Sequence, residues 1–146
     1  MSNFTADLVR PMEGYARVMP AVNQLELHPR FSSPSLRKYA AATGMALTAY
    51  GSGNSTRIEK SSVIARIAAA HGTTPIAIVL RWTLQRDVAV IPRTATPAHM
   101  AANLAVETLA PLTAEELIEI DALNEDHPYY WDPEPLFPAG TYKRDC

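Results

Sequence analysis

The sequence lacks the features that mark secreted, membrane and nucleic-acid-binding proteins. It has one cysteine, Cys146, so no disulfide can form within the chain, which is typical of a reducing compartment. No apolar run approaches the roughly 20 residues that span a bilayer, and the first residues lack the basic-then-apolar pattern of a secretion signal. The net charge is −2 and no basic run is present, which argues against nucleic acid as a partner. We therefore expect a cytoplasmic protein that binds neither membranes nor nucleic acid.

Patterns for metal binding and for independent acid–base catalysis are also missing. His71, His99 and His127 have no Asp, Glu or Cys at ligand spacing, so we predict no metal site. Glu26 and His28 could in principle exchange a proton, but the sequence offers them no nucleophile and no metal partner. We do not assign them to catalysis.

What is present is the composition of one globular domain. Hydrophobic residues make up 47% and charged residues 19% of 146 residues, enough for a self-sufficient core. We expect a single domain over residues 1–146. Its tail, residues 125–146, contains H-P-Y-Y-W-D-P-E-P-L-F-P and is too rich in proline for a regular helix. We interpret this tail as an irregular lid or docking arm.

Strand and helix signals alternate along the chain. Ser33 and Pro34 predict a helix start, Gly44 its end, and Thr113 with Glu116 a capping box. The predicted order is strand, helix, strand, two helices, strand, helix, helix, with strands at residues 21–27, 45–50 and 88–91. This alternation implies right-handed crossovers and a parallel α/β sheet.

The first predicted strand is unusually polar for a parallel sheet. Gln24, Glu26 and His28 fall on one side of it, because alternate residues share a face. In a parallel barrel this side would put Gln24 and Glu26 in the mouth, where they could line a ligand cavity. The alternative is that a strand end simply meets water, and the strand taken alone favours that interpretation.

Four segments, in order, resemble one protein family. They are M-S-N-F at the start, P-A-V-N-Q-L-E-L-H-P at 20–29, L-T-A-Y-G-S-G-N-S at 47–55, and L-R-W at 80–82 with V-I-P-R-T-A-T-P-A-H-M-A-A-N-L at 90–104. Together they resemble the aldo-keto reductases. The resemblance implies a (β/α)8 TIM barrel that binds NADPH, or less often NADH, and reduces carbonyls. It further implies a partial barrel here, roughly strands six to eight with their helices and a C-terminal tail.

The resemblance assigns cofactor contacts to the first three segments. Ser2, Asn3 and Gln24 match residues that hydrogen-bond the nicotinamide carboxamide, which needs both donors and acceptors. Tyr50 matches the tyrosine that stacks on the nicotinamide; the alternative is an aromatic side chain that only packs at a strand end. Ser55 matches a serine that contacts the pyrophosphate, although the surrounding G-S-G-N-S departs from the family's S-P-L-G-S.

The fourth segment should hold the adenosine phosphate. Arg93 and Thr94 stand where the family has Lys and Ser, and Thr96 begins the next helix, where N–H groups favour anions. His99 replaces the arginine that grips the 2′-phosphate, while Asn103 is retained, so the choice between NADP(H) and NAD(H) stays open. For Arg93 the alternative is a solvated surface charge.

Three hypotheses for function follow. The first is an NAD(P)H-dependent carbonyl reductase by descent, which retains cofactor-binding segments but lacks the family's catalytic Asp, Tyr, Lys and His. We therefore assign no catalytic residue and expect the isolated chain to be inactive, with a small carbonyl substrate only if the missing half is supplied. The second is a non-catalytic nucleotide-binding or protein-interaction module whose open sheet edges would favour self-association. The third is a decayed reading frame without a selected function.

Overall fold

Three short parallel strands form the centre of the molecule. The computed structural model describes residues 1–52, residue 58 and residues 60–130. The strands are β1 (Val22–Glu26), β2 (Ala46–Tyr50) and β3 (Val88–Val90), hydrogen-bonded in the order β1-β2-β3. Both pairings are parallel, with Glu26 opposite Tyr50. The predicted alternation and strand positions are confirmed.

Helices connect and flank these strands. They are α1 (Ala6–Val9), which continues into a 3-10 turn (Arg10–Gly14), α2 (Pro34–Thr43), α3 (Ser62–Ala70), α4 (Pro75–Leu84), α5 (Pro97–Ala105), followed by a 3-10 turn (Val106–Thr108), and α6 (Ala114–Asp121). The helical residues 6–14 were not predicted, because one turn of α-helix is too short to show a periodic pattern. No single helix in the described residues is long and apolar enough to cross a membrane; α3 and α4 pass that test only as a pair bent by 88°.

The predicted helix ends are mostly confirmed. Gly44 ends α2 in the left-handed conformation, and Thr113 and Glu116 form the reciprocal capping box of α6. Ser33 does not cap α2 with its side chain as predicted. It precedes α2, but its φ of 44° is left-handed and its side chain makes no capping bond. A capping side chain reaches the first turn from an extended backbone, which this conformation does not provide.

The two faces of the sheet have different surroundings. Leu25, Leu47 and Val88 are buried on the face that the helices cover. The other face is open: Val22 is 44% exposed, and Gln24 and Ala89 are exposed as well. Parallel sheets are ordinarily covered on both faces. The open face is therefore the most unusual feature of this fold.

The apolar core lies between the sheet and the helices. Trp82 of α4 is its largest fully buried side chain, and its indole Nε1–H donates to Asp121 of α6 at 2.9 Å. Arg86 also donates to Asp121, and the Arg37 guanidinium lies 5.9 Å from the Trp82 ring. These partly buried contacts join α4 and the residue pair after it to α6.

Candidate cofactor-binding site

The N-terminal segment pairs with the outer edge of β1. Ser2 forms a parallel bridge with Gln24, because the Asn3 N–H donates to the Gln24 carbonyl at 2.9 Å and the Gln24 N–H donates to the Met1 carbonyl at 3.0 Å. Asn3 has a φ of 60°, a left-handed conformation that asparagine tolerates better than most residues. The chain turns away from the sheet immediately after this bridge.

Hydrogen bonds connect four of the residues predicted to contact the cofactor. The Tyr50 hydroxyl, at the carboxyl end of β2, donates to the Asn3 side-chain oxygen at 3.0 Å. Burial and the charge of Glu26 raise the pKa of Tyr50, so the phenol stays protonated and can donate. Backbone pairing thus joins Ser2 and Asn3 to Gln24 in the middle of β1, and a side-chain hydrogen bond joins Asn3 to Tyr50 at the end of β2.

Asn23 holds this arrangement and was missed as a site residue in the sequence. It is fully buried, and its side-chain amide donates to the Phe4 carbonyl at 2.8 Å and accepts from the Phe4 N–H at 3.4 Å. The side chain thereby satisfies both backbone groups of the residue that follows Asn3. A polar residue on the covered face of a strand is the signal that could have identified it.

Glu26 and His28 form a buried pair beyond the end of β1. The His28 Nε2 lies 3.0 Å from a Glu26 oxygen, and both side chains are at most 2% exposed. Backbone N–H groups of Tyr129 and Tyr130 donate to the two Glu26 oxygens at 2.5 and 3.0 Å. Burial alone would raise the pKa of Glu26, but hydrogen bonds from His28, Tyr129 and Tyr130 lower it overall.

This geometry corrects the expectation that Gln24 and Glu26 share an environment. Gln24 is exposed, whereas Glu26 is 2% exposed because residues 129–130 cover the end of the strand. Both Glu26 oxygens therefore accept hydrogen bonds from residues 129–130. A nearby cleft between Asn3, Glu26 and Tyr50 measures about 20 Å³, enough for a water but not for a nicotinamide ring.

The remaining predicted contacts follow β3. Arg93, Thr96 and His99 are exposed, while Thr94 and Asn103 are partly buried. The Thr96 N–H at the start of α5 donates to the Thr94 hydroxyl at 3.1 Å. No hydrogen bond or ion pair among the described residues joins these five to the group around Tyr50. Ser55 lies outside the residues that the structure describes.

The sequence matches the aldo/keto reductase family over residues 1–125. The chain belongs to the aldo/keto reductase family. It is 35% identical over 143 residues to the 9,11-endoperoxide prostaglandin H2 reductase of Trypanosoma cruzi, covering 96% of this chain and 50% of that protein. It is 34% identical over 155 residues to the NAD(P)H-dependent D-xylose reductase I,II of Candida tropicalis, covering 94% and 48%. The chain spans about half the length of the curated relatives it matches.

The fold of this aldo/keto reductase chain matches solved members of the family. The crystal structure of a Gox0644 mutant in complex with NADPH superposes with a TM-score of 0.82 at 31% identity, covering 90% of this chain and 49% of that one. The three-stranded parallel sheet and its helices correspond to part of the (β/α)8 barrel of these neighbours, as predicted. Their numbering as strands six to eight stays a prediction.

Within the described part of this aldo/keto reductase chain, no group of three or more His, Cys, Asp or Glu side chains could hold a metal ion. His71 instead contacts both carboxylate oxygens of Glu116 at 3.0 Å, which ties the end of α3 to the start of α6. His28 and His71 are thus each paired with a single glutamate, and both pairs connect segments of the fold.

Proposed function

We propose that this chain is the cofactor-binding portion of an NAD(P)H-dependent carbonyl reductase. The observation that carries the proposal is that hydrogen bonds link Asn3 both to the Gln24 backbone and to the Tyr50 hydroxyl. Reduced nicotinamide, when bound, supplies a hydride to a carbonyl carbon. The relatives named as NAD(P)H-dependent reductases and the NADPH complex of a structural neighbour support this choice of cofactor.

The residues at this edge suit a nicotinamide chemically. The Gln24 side chain is exposed and makes no hydrogen bond to any residue in the described part of the chain. It can therefore both donate to and accept from a carboxamide. The bond from Tyr50 to Asn3 fixes the tilt of the phenol ring at the mouth of the sheet. A ring held in this way would orient the nicotinamide before hydride transfer.

Carbonyl reduction also needs a proton donor beside the substrate oxygen. We assign none of the 146 residues to that role, so the proposal requires another segment to supply the donor and most of the substrate pocket. The substrate class is accordingly a small carbonyl compound. Turnover of a generic aldehyde by the isolated chain, well above a no-protein control, would contradict this assignment.

The residues after β3 are proposed to hold the adenosine end of the cofactor. Arg93 supplies a permanent positive charge, and Thr94 and Thr96 supply a hydroxyl and an N–H at the start of α5. His99 stands where the resemblance predicts an arginine, and an imidazole lacks the forked donors of a guanidinium. We therefore expect NADP(H) to bind with only a small preference over NAD(H).

Titration of NADPH fluorescence with the purified chain tests the proposal. Tyr50→Leu should weaken NADPH binding by about fivefold, because an aromatic contact of this kind contributes on the order of 1 kcal/mol beyond buried area. Tyr15→Leu is the matched control, since Tyr15 is 72% exposed and lies outside the proposed site. Equal affinities for the two variants, or no binding of either cofactor at millimolar concentration, would refute the proposal.

A second pair of variants tests the phosphate contact. Arg93→Ala should weaken NADPH binding by about tenfold or more, which corresponds to one charge-assisted hydrogen bond of about 1.5–3 kcal/mol. Arg17→Ala removes another exposed arginine and should leave the affinity unchanged. If both arginine variants bind NADPH as the parent does, Arg93 is a solvated surface charge.

The open sheet face favours one further candidate function, association with another chain. Val22 and Ile91 are 44% and 47% exposed, where a complete barrel would be closed. We propose that this face and the outer edge of β3 pair with a second polypeptide. Sedimentation velocity over a hundredfold range of concentration should show reversible association of the chain. A monomer at every concentration would refute self-association.

A further inference from the structure

A buried carboxylate holds two consecutive backbone N–H groups that are more than one hundred residues away in sequence. The two Glu26 oxygens accept from Tyr129 and Tyr130, and His28 contacts one of them at 3.0 Å. A charge buried to this extent is costly unless it is fully hydrogen-bonded. These three partners therefore explain why a glutamate is tolerated at the end of β1.

The chain that leads to this contact is also fixed along its path. The Asn124 side-chain oxygen accepts from the Ser32 N–H at 2.9 Å, and the N–H groups of Glu125 and His127 donate to the Arg30 carbonyl at 3.0 and 3.2 Å. The Tyr129 ring then stacks on His28, with 4.6 Å between ring centroids. Residues 124–130 thus cross the carboxyl end of β1 in one conformation.

These contacts place the Tyr130 ring beside Tyr50 and Gly51. It lies edge-on to Tyr50 with 6.3 Å between centroids and is 49% exposed. It also covers Gly51, where an added Cβ would lie 2.8 Å from the ring carbon Cε2. Only a glycine at position 51 leaves room for the ring beside Tyr50.

We propose that Glu26 is a positioning residue, which places the Tyr130 ring as a side wall of the nicotinamide end of the cofactor site. The inference rests on the proposed function, because the wall matters only if a nicotinamide lies against Tyr50. It assigns a role to a carboxylate that is too enclosed to touch the cofactor itself. Tyr130 restricts the exposed face of Tyr50 from one side and thereby selects how a planar ring can stack there.

Glu26→Gln tests the positioning step directly in the full chain. Tyr129 and Tyr130 donate to different Glu26 oxygens, and glutamine replaces one of those oxygens by an N–H₂ donor, so one of the two backbone N–H groups loses its acceptor. Hydrogen exchange at the Tyr129 and Tyr130 amides should accelerate by about tenfold or more. Hydrogen exchange at the backbone amides of β2 should stay unchanged, which would exclude general unfolding as the cause. Unchanged exchange at residues 129–130 would overturn the proposal.

Gly51→Ala tests the wall while keeping the Glu26 carboxylate, because the added Cβ would lie 3.7 Å from the Glu26 Cγ, an ordinary contact distance. The new methyl group would displace the Tyr130 ring, and NADPH should bind several-fold more weakly. Adenosine 2′,5′-bisphosphate, which lacks the nicotinamide, should bind as it does to the parent. Gly44→Ala is the matched control, because Gly44 has a φ of 73° against 72° at Gly51 but nothing within 4 Å of its added Cβ. It carries the same backbone strain and should leave both affinities unchanged.

Three results are distinguishable. Selective loss of NADPH binding in Gly51→Ala and Glu26→Gln, with adenosine 2′,5′-bisphosphate unaffected, is the expected one. Equal effects on the two ligands, or equal behaviour of the two glycine variants, would overturn the wall. A parent chain that binds neither ligand would refute the proposed function, while the exchange measurement would still decide whether Glu26 positions residues 129–130.

Discussion

Removing the Asn23 side chain should destabilise the protein and loosen the proposed site together. Asn23→Ala deletes the 2.8 Å hydrogen bond to the Phe4 carbonyl and the longer contact from the Phe4 N–H. The 3.4 Å contact is beyond the usual range for N–H···O bonds, so we count only the first at full strength. Leaving a partly buried backbone carbonyl without its partner costs about 1–3 kcal/mol.

Urea denaturation followed by tryptophan fluorescence measures this loss. With an m value of about 1–3 kcal/mol/M, a loss of about 2 kcal/mol should lower the midpoint by roughly 1 M. Gln24→Ala is the control, because Gln24 is the next residue on the same strand but is exposed, and surface substitutions usually change stability by about 0.5 kcal/mol or less.

The same variant should also reach the cofactor site through the backbone. Asn3 directly precedes the residue that Asn23 holds, so Asn23→Ala should weaken NADPH binding and leave binding of adenosine 2′,5′-bisphosphate unchanged. If Asn23→Ala unfolds at the same urea concentration as Gln24→Ala, the buried amide does not hold the segment and the reasoning fails.

Three further predictions concern stability. Asp121→Ala should lower the free energy of unfolding by about 2–4 kcal/mol, because it leaves the indole N–H of the fully buried Trp82 unpaired. Asp121→Asn keeps an acceptor and should lose less than half of that free energy. Equal losses of the two variants in urea denaturation would contradict the role of this bond. Thr113→Ala should cost about 1 kcal/mol, because it removes the cap that accepts from Glu116, and a thermal midpoint equal to that of the parent would contradict it. The pKa values of Glu26 and Glu116 are lowered in the folded protein, so both carboxylates contribute fully to the free energy of unfolding at pH values above the unfolded pKa near 4.5. This contribution is lost as the pH falls through their lower pKa values in the folded state. A free energy of unfolding that stays constant between about pH 5 and 2 would show that folding stabilises neither carboxylate.

Much of the fold could be predicted from local patterns. The three strands and the capping box of α6 depend on residues within a few positions of one another, and these predictions are confirmed, the strand ends to within one residue. Ser33 shows the limit of such patterns. The residue type suggests a cap, but the backbone conformation that decides whether the side chain can reach is set by the turn before α2.

The polar residues of β1 show what local patterns could not predict. Asn23, Gln24 and Glu26 lie within four successive positions, yet their surroundings differ. Asn23 is hydrogen-bonded to the backbone of Phe4, Gln24 is exposed, and Glu26 is buried and hydrogen-bonded to the backbone of Tyr129. Apart from His28 beside Glu26, the partners of Asn23 and Glu26 are main-chain groups, 19 and more than 100 residues away. Since every residue except proline carries an N–H, no residue type in the sequence signals such a partner.

The amino-acid sequence by itself determined the order of the elements, the parallel sheet and the family, because each of these is encoded in short-range periodicity and in the spacing of a few segments. Only the tertiary structure decided that Glu26 is enclosed, that Tyr130 stands beside Tyr50, and that one face of the sheet is open. The physical reason is that burial and long-range hydrogen bonds depend on which distant segments the folded chain brings together.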